Sequence, residues 1–269
     1  MSFDLLQEAF KRRSFHVSPF LVLGDPTPEL SVELAKAAVE EGAGMLEIGF
    51  PYGDPVADGP AIQAADLRAL RGGTSTKKAI ALLTRIREAC PETPLNLLVY
   101  GNLVHARGYD RFCRDVTEAG ASSLLVPDIP LEESGALRKA SRTAELGHVE
   151  LVGPLTDPEK LAELDRAADG FLYLVAHQGI TGARKGSFEP VAELVRRTQS
   201  RVERPLCLGF GLSHPDHIHG ARDAGARIAV VGSHLARAIE KAWAENTAER
   251  ETRTVNGFVE ALRPLVAVA

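Results

Sequence analysis

Short apolar runs recur along the chain, and each is followed by a stretch whose apolar positions repeat every three or four residues. The runs hold few charges and end in clusters of glycine, proline or asparagine, which is typical of buried strands joined by turns. The pattern predicts strands at 18–23, 44–50, 95–100, 122–126, 149–152, 171–175, 205–208 and 227–231. Strands without polar alternation that are joined by helices form a parallel sheet buried on both faces.

The amphipathic stretches predict helices between the strands and at both ends of the chain. They lie at 2–13, 28–41, 74–90, 108–119, 132–146, 158–168, 189–200, 214–224, 234–247 and 253–266. Strand–helix units repeated over roughly 250 residues indicate a closed (β/α)₈ barrel, here with an extra N-terminal helix and an extra C-terminal helix. An open doubly wound sheet is the alternative, but the turn after the first strand reads Gly24-Asp25-Pro26-Thr27 and not G-x-G-x-x-G. No linker-like segment interrupts residues 1–269, so a single domain is expected.

The composition argues against several classes of protein. Of 269 residues, 45% are hydrophobic and 25% charged, and the net charge of -5 with mixed signs disfavours a nucleic-acid or anionic-membrane surface. Cys90, Cys113 and Cys207 lack C-x-x-C spacing, so neither a zinc site nor a disulfide framework is indicated. The N-terminus lacks the apolar core of a signal peptide, and no apolar run approaches the roughly 20 residues of a membrane span. We expect a cytoplasmic protein that acts on small molecules.

A carboxylate interrupts the second predicted strand. Glu47 stands between Leu46 and Ile48, so it faces the barrel interior if its two neighbours face the helices. None of the predicted strands contains a lysine to pair with it, and an unpaired buried carboxyl has a raised pKa that suits acid and base catalysis near neutral pH. The following loop carries Asp54, expected in a turn or on the surface, and Asp58. Asp58 is either a second functional carboxylate or the cap of a helix that begins near Pro60.

Glycines cluster after the last two strands, where (β/α)₈ barrels usually bind phosphate. Gly209-Phe210-Gly211 follows the seventh strand and Gly232-Ser233 the eighth, so backbone N–H groups and the Ser233 hydroxyl can approach an anion closely. The loop 177–188 after the sixth strand carries glycines and basic residues. We expect it to close over a bound phosphate as a lid.

The residues that the predicted strands and loops lack argue against several types of reaction. Without a strand lysine, Schiff-base aldol chemistry is disfavoured, and no His, Asp and Glu triplet has the spacing of a catalytic metal site. Acid–base chemistry by carboxylates on a phosphorylated small molecule remains, with Tyr100, Tyr173 and Phe210 available to hold a flat group. A sugar-phosphate isomerase is one such enzyme, and it needs a second acid or base across the barrel mouth. The candidates are Asp128, Asp25 and, if it points inward, Glu150.

Several motifs follow one another along nearly the whole chain. The longest is Leu46-Glu47-Ile48-Gly49-Phe50-Pro51 with Asp54-Pro55-Val56-Ala57-Asp58-Gly59-Pro60-Ala61-Ile62-Gln63. The others are Leu23-Gly24-Asp25-Pro26, Val126-Pro127-Asp128-Ile129-Pro130, Gly179-Ile180-Thr181-Gly182, Gly209-Phe210-Gly211-Leu212-Ser213 and Val231-Gly232-Ser233. Together they resemble the tryptophan synthase alpha chain family, and the first motif is long enough to make chance a poor explanation.

The resemblance implies a (β/α)₈ barrel that cleaves indole-3-glycerol phosphate to indole and glyceraldehyde 3-phosphate in a retro-aldol step. It implies that Glu47 is the general acid/base that protonates indole C3 and helps to deprotonate the glycerol hydroxyl. Asp58 would hold the indole N–H and stabilise an indoleninium-like intermediate, and Thr181 would order the lid against Asp58. Tyr173 would lie beside the substrate. The implied phosphate ligands are Gly182, Gly211, Gly232 and Ser233, and the implied walls of the indole pocket are Phe20, Leu98, Tyr100, Leu125 and Phe210.

The resemblance also implies a partner. A beta chain that carries pyridoxal phosphate would receive indole through a tunnel in an alpha2beta2 assembly, and the alpha chain itself would need no cofactor. The loops at 53–60 and near Asn102 and Pro130 would face that partner.

Some residues depart from the family pattern. Tyr52-Gly53 stands where Phe-Ser is usual, Ala176-His177 where a Ser-Arg pair is common, and Gly101 where Tyr or Ala is usual. Most of these changes fall in loops that would carry lid closure and signalling to the partner. Two further functions therefore stay open: an alpha-like protein that mainly binds and activates a beta-type chain, and a stand-alone lyase that releases free indole.

Overall fold

The computed structural model describes residues 2–175, 188–209, 211–245 and 247–269. Parallel strands β1 to β8 close into a barrel in chain order, and β8 pairs back to β1 with Ser18 opposite Val230. The strands are β1 (His16–Val22), β2 (Leu46–Gly49), β3 (Leu95–Leu98), β4 (Ser123–Leu125), β5 (Gly147–Val152), β6 (Leu172–Val175), β7 (Leu206–Gly209) and β8 (Ile228–Val231). The predicted closed (β/α)₈ barrel is confirmed, and the open doubly wound alternative is wrong.

Helices surround the barrel, and three strands lead into two helices each. In the described ranges they are α1 (Ser2–Arg12), α2 (Pro28–Glu40), α3 (Pro60–Arg71), α4 (Thr76–Ala89), α5 (Gly101–Arg107), α6 (Tyr109–Glu118), α7 (Gly135–Thr143), α8 (Pro158–Ala167), α9 (Glu189–Gln199), α10 (Pro215–Asp223), α11 (Ser233–Ala244) and α12 (Arg250–Val266). Two of these helices are missing from the predicted set: α3, of which only a start near Pro60 was expected, and the short helix α5. Its 7 residues are too few to establish a helical period in the sequence.

Strand side chains alternate between two hydrophobic layers. Leu46 and Ile48 belong to the layer between the barrel and the helices, which is the larger of the two. Phe20, Leu125 and Tyr173 belong to the cluster that fills the barrel. Because successive side chains on a strand point to opposite faces, Glu47 points into the barrel, as the sequence predicts.

The additional N-terminal helix covers the amino end of the barrel strands. Leu6 and Ala9 of α1 pack into the cluster that fills the barrel. The guanidinium of Arg227 donates to the carbonyls of Phe10 and Ser14, at 2.6 Å each, and so ties the end of α1 to the start of β8. The amino end is thereby closed, which leaves the carboxyl ends of the strands for a site.

Two further features concern the cysteines and the helix lengths. Cys90, Cys113 and Cys207 are all free and buried. Across the described residues, no helix combines the length and the apolarity needed to cross a bilayer.

Candidate active site

Glu47 lies at the centre of the barrel mouth. In the strand register it stands between Phe20 of β1 and Asn96 of β3, and only 4% of its surface is exposed. The hydroxyl of Tyr173, which comes from β6 on the opposite wall, donates to Glu47 Oε2 at 3.3 Å. The barrel therefore holds one carboxyl in an apolar surrounding with a hydroxyl to orient it.

The environment of Glu47 favours the protonated form of its carboxyl. The pKa of Glu47 is raised to about 8: burial is the largest cause, the Tyr173 hydrogen bond opposes it, and the negative charge of Asp58 adds to it. A carboxylic acid with this pKa is protonated at neutral pH and can both give and take a proton there.

Asp58 faces Glu47 from the loop between β2 and α3. Its Oδ2 accepts the hydroxyl of Tyr100 at 2.7 Å, and the Tyr100 oxygen in turn accepts the backbone N–H of Ala57 at 3.1 Å. Burial raises the pKa of Asp58, while the Tyr100 hydrogen bond favours its ionised form. Asp58 does not cap α3, because Gly59 occupies the N-cap position and no side chain bonds there. Asp54 is exposed, as predicted.

An aromatic pair holds the loop that carries Asp58. The rings of Tyr52 and Tyr100 stack with centroids 5.1 Å apart and planes inclined by 26°. Asn102 Nδ2 donates to the Tyr52 hydroxyl at 2.7 Å, which joins the loop to α5. The amide of Gln63 donates to the Asp58 carbonyl at 2.8 Å. The tyrosine at position 52, a departure from the family pattern, thus gains a hydrogen bond that phenylalanine cannot make.

The residues predicted to form the indole pocket lie around the two carboxyls. Phe20 and Leu125 belong to the cluster that fills the barrel, Leu98 packs against that cluster, and Tyr100 is buried beside Asp58. Glycine at position 49 leaves room for the tip of the Phe20 ring, since a Cβ there would lie 2.6 Å from Phe20 Cζ. The structure therefore brings all four described residues of the predicted pocket to one place.

The structure describes part of the phosphate site that was predicted after β7 and β8. Gly232 is the N-cap of α11, Ser233 is its first residue, and the first turn has neither a side-chain cap nor an acidic residue. Unpaired N–H groups at such an end attract an anion. Gly211 has φ +80, which favours glycine. Three predicted site residues lie outside the described residues: the phosphate ligand Gly182, Thr181 of the lid and Phe210 of the indole pocket. The lid at 177–188 lies outside them too, apart from its last residue.

Comparison with known proteins identifies the family. The family model described as tryptophan synthase alpha chain matches residues 6–264. The chain belongs to the tryptophan synthase alpha chain family. Alpha chains cleave indole-3-glycerol phosphate to indole and glyceraldehyde 3-phosphate, so this chain is a lyase of tryptophan biosynthesis.

Alpha chains from distant organisms support the assignment. The chain is 42% identical to that of Methanothermobacter thermautotrophicus over 217 residues, which cover 81% of this chain and 80% of the relative. It is 40% identical to that of Shewanella oneidensis over 222 residues, or 82% and 80% of the two chains. Its fold matches the alpha subunit of Legionella pneumophila with a TM-score of 0.88 at 26% identity, covering 99% and 97%. A chain from the a2b2 complex of Pyrococcus furiosus matches with a TM-score of 0.85 at 29% identity, covering 94% and 98%.

A sugar-phosphate isomerase would need a second acid or base at one of the three predicted positions. At two of them, Asp25 and Asp128, the carboxylate is already bound by other groups of the protein. Both carboxylate oxygens of Asp25 bind the Arg68 guanidinium, at 2.7 and 3.0 Å. Asp128 accepts the backbone N–H of Gly101 at 2.7 Å and so caps the start of α5. These aspartates hold the ends of helices around the alpha-chain site.

The third position, Glu150, points away from the barrel mouth. Its neighbours Val149 and Leu151 face the interior, which turns Glu150 toward the helices. There the imidazole Nε2 of His148 lies 3.1 Å from Glu150 Oε1. In this alpha chain the carboxyl that accompanies Glu47 in the mouth is therefore Asp58.

One buried carboxyl near the alpha-chain site was not predicted. Asp66 of α3 is 4% exposed and lies close enough to Asp58 for the two charges to interact. A signal was present, because Asp66 falls between Ile62 and Ala69 on the apolar stripe of the helix. No cluster of metal-ligating side chains occurs in the described ranges.

Replacing Gly209 by alanine should disturb the alpha-chain site through Tyr173. A Cβ at position 209 would lie 2.3 Å from the Tyr173 hydroxyl, and this fully packed ring must then leave its place beside Glu47. Overpacking of this kind costs about 1–3 kcal/mol, so we expect the Tm to fall by roughly 2–8 °C and indole release to fall at least about tenfold. Thermal unfolding and an indole assay measure the two effects.

The matched control for this substitution is Gly135→Ala, because a Cβ at Gly135 meets nothing within 4 Å. If Gly209→Ala has the same Tm and activity as wild type, as Gly135→Ala should, then Tyr173 is not packed closely against Gly209.

Proposed function

We propose that Glu47 and Asp58 carry out the cleavage together. The observation that supports this most is the buried Glu47 carboxyl, whose raised pKa keeps it protonated at neutral pH and on which the charge of Asp58 acts. The protonated Glu47 gives its proton to indole C3, and the positive charge that develops on the indole ring is stabilised by the Asp58 carboxylate, which accepts the indole N–H.

The Glu47 carboxylate formed in this first step then acts as a base. It takes the proton of the glycerol hydroxyl on the carbon attached to indole C3, the carbon–carbon bond breaks, and its electrons return to the indole ring. The products are indole and the aldehyde of glyceraldehyde 3-phosphate. Glu47 ends with one proton, as it began, so the residue is regenerated in each turnover.

The surrounding residues would bind and orient the substrate. Tyr173 orients the Glu47 carboxyl through its hydroxyl, and Tyr100 holds Asp58. The indole ring would lie against Phe20, Leu98 and Leu125. The phosphate would bind at the carboxyl ends of β7 and β8. Its proposed ligands are Gly182, Gly211, Gly232 and Ser233, with Phe210 beside the ring and Thr181 ordering the lid.

The proposed partner is a tryptophan synthase beta chain in an alpha2beta2 assembly, like the a2b2 complex named for Pyrococcus furiosus. The loop that carries Asp58 and the segments near Asn102 and Pro130 would face it. Pyridoxal phosphate would belong to the beta chain, since none of the roles proposed for this chain calls for a cofactor. A single domain over residues 1–269 and a location in the cytoplasm stay predictions from the sequence.

Indole release from indole-3-glycerol phosphate by the purified chain tests the proposal, with and without a beta chain. We expect slow release by the chain alone and acceleration by the partner, because closure of the site depends on loops that the partner would contact. Fast release without a partner would favour a stand-alone lyase.

No release in either setting, with the beta chain still activated, would overturn the catalytic roles and leave a binding partner. The intact pair of carboxyls disfavours that second function.

A further inference from the structure

The loop between β2 and α3, residues 51–59, carries Asp58 but has few buried side chains to hold it in place. Gly53 and Asp54 are exposed, and Val56 leaves 74% of its surface exposed. A segment with so little apolar burial keeps one conformation only if hydrogen bonds or ring contacts fix it. The contacts at the two ends of the loop therefore decide where Asp58 lies.

Three hydrogen bonds join this loop to the start of α5. The Tyr100 hydroxyl donates to Asp58 Oδ2 at 2.7 Å and accepts the backbone N–H of Ala57 at 3.1 Å. Asn102 Nδ2 donates to the Tyr52 hydroxyl at 2.7 Å. One short helix thus holds the loop near its first residue and near its last.

The start of α5 is itself fixed to the barrel. Asp128 Oδ1 accepts the backbone N–H of Gly101 at 2.7 Å, which ties the helix to the loop after β4. Gly101 is buried and packs so closely that a Cβ there would lie 2.9 Å from Ile129 Cγ1. Because the helix cannot shift at this end without breaking these contacts, it is a rigid support for the loop.

Tyr52 connects Asn102 to the residue that binds Asp58. Its ring stacks on the ring of Tyr100, with centroids 5.1 Å apart and planes inclined by 26°. The bond from Asn102 fixes the outer end of the Tyr52 ring, so this ring cannot turn away from Tyr100 without losing the bond. A phenylalanine at position 52 could stack on Tyr100 but could not be fixed at its outer end.

We propose that Tyr52 is a positioning residue for Asp58, in which the bond from Asn102 keeps the Tyr52 ring against Tyr100 and thereby keeps the Tyr100 hydroxyl on the carboxylate. The inference rests on the proposed role of Asp58 as the group that holds the indole N–H. Tyr52 acts through Tyr100. It sets the carboxylate in place with contacts of this chain alone, before any partner touches the loop.

Two substitutions break the bond between Tyr52 and Asn102 from either side. Tyr52→Phe removes the hydroxyl and keeps the ring, and we expect kcat to fall about three- to tenfold with a smaller change in KM, the factor for one lost hydrogen bond. Asn102→Ala removes the donor and should have the same effect. Because both changes break one bond, the double variant should fall no further than either single variant. Steady-state indole release by the chain without a beta chain measures all three.

The pH profile shows whether the loss is transmitted to Asp58. Burial raises the pKa of Asp58, and the Tyr100 hydrogen bond opposes that rise. A loosened Tyr100 leaves the pKa of Asp58 higher, so the acid limb of kcat/KM in Tyr52→Phe should lie at higher pH than in wild type. Burial also raises the pKa values of the other titratable groups around Asp58, to about 8 for the two carboxyls, so none of them titrates in the acid limb. These groups are Glu47, Asp66, Tyr100 and Tyr173.

Tyr109→Phe is the matched control. Tyr109 of α6 also belongs to an aromatic pair, with the His105 ring 5.9 Å away, but its hydroxyl makes no hydrogen bond within the described ranges. We expect the kcat, KM and pH profile of this control to match those of wild type. The positioning role is wrong if Tyr52→Phe behaves like the control, if its kcat falls without the shift of the acid limb, or if the losses multiply in the double variant.

Asp58→Asn, assayed alongside, separates the two proposals. Full activity in that variant would overturn the proposed role of Asp58, whatever Tyr52 does. An impaired Asp58→Asn with a wild-type Tyr52→Phe would overturn only the inference about Tyr52.

Discussion

Replacement of Glu47 by glutamine is expected to abolish indole release while leaving the barrel folded. Glutamine fits the same space and keeps an oxygen for the Tyr173 hydroxyl, but it can neither give a proton to indole C3 nor take one from the glycerol hydroxyl. Loss of a general acid/base lowers rates by about 10²–10⁴-fold, and the effect should lie near the upper end because one residue serves both steps. Single-turnover indole release with saturating enzyme measures the chemical step.

Glu150→Gln is the control for this experiment. Glu150 is also a buried glutamate on a barrel strand, but it faces the helices and contacts His148 at 3.1 Å. We expect its activity to stay within about threefold of wild type, since it touches no part of the proposed site. Equal losses in the two variants would show that a buried carboxyl supports the barrel and does not act in the reaction.

The pH dependence offers a second test of the same residue. Because the pKa of Glu47 is about 8, its acid form is present at neutral pH, and kcat/KM of the wild type should fall as the pH rises above that value. The folded state also keeps a proton that an ordinary glutamate, with a pKa of 4.5, releases. Stability due to protonated Glu47 is therefore lost progressively from about pH 4.5 to pH 8, and Glu47→Gln should gain Tm relative to wild type across that range. An unchanged Tm difference would contradict the raised pKa.

Replacement of Asp58 by asparagine is expected to have the second largest effect. Asparagine keeps an oxygen for the Tyr100 hydroxyl but removes the negative charge that stabilises the developing indoleninium. Removing one preorganised electrostatic partner of a transition state costs about 10²–10³-fold, so kcat should fall by roughly this factor while KM changes less. Steady-state indole release resolves the two constants.

Asp54→Asn is the control for Asp58→Asn because it removes a charge from the same loop at an exposed position. Without a beta chain present, its kcat and KM should match those of wild type. If Asp58→Asn raises KM and leaves kcat unchanged, Asp58 contributes only to ground-state binding, and the proposed stabilisation of the intermediate is wrong.

The sequence by itself determined the barrel fold, the direction of Glu47 and the family of this protein. The repeated apolar runs predicted β1 to β8 and the closed barrel, because a strand buried on both faces leaves a continuous apolar pattern. Alternation around Leu46 and Ile48 predicted the inward direction of Glu47, and the motif through Asp58 indicated the family. Each of these inferences uses residues that are close together in the sequence, so a local pattern is enough to support it.

The tertiary structure alone decided which polar groups meet. The bond from Tyr173 to Glu47 joins residues 126 positions apart, and the bond from Tyr100 to Asp58 joins residues 42 positions apart. It also assigned Asp58 to the mouth instead of the α3 cap and turned Glu150 outward. Such contacts form only when the closed barrel brings the ends of distant strands together at one rim. The local pattern of hydrophobic and polar residues does not show which distant side chains will meet there.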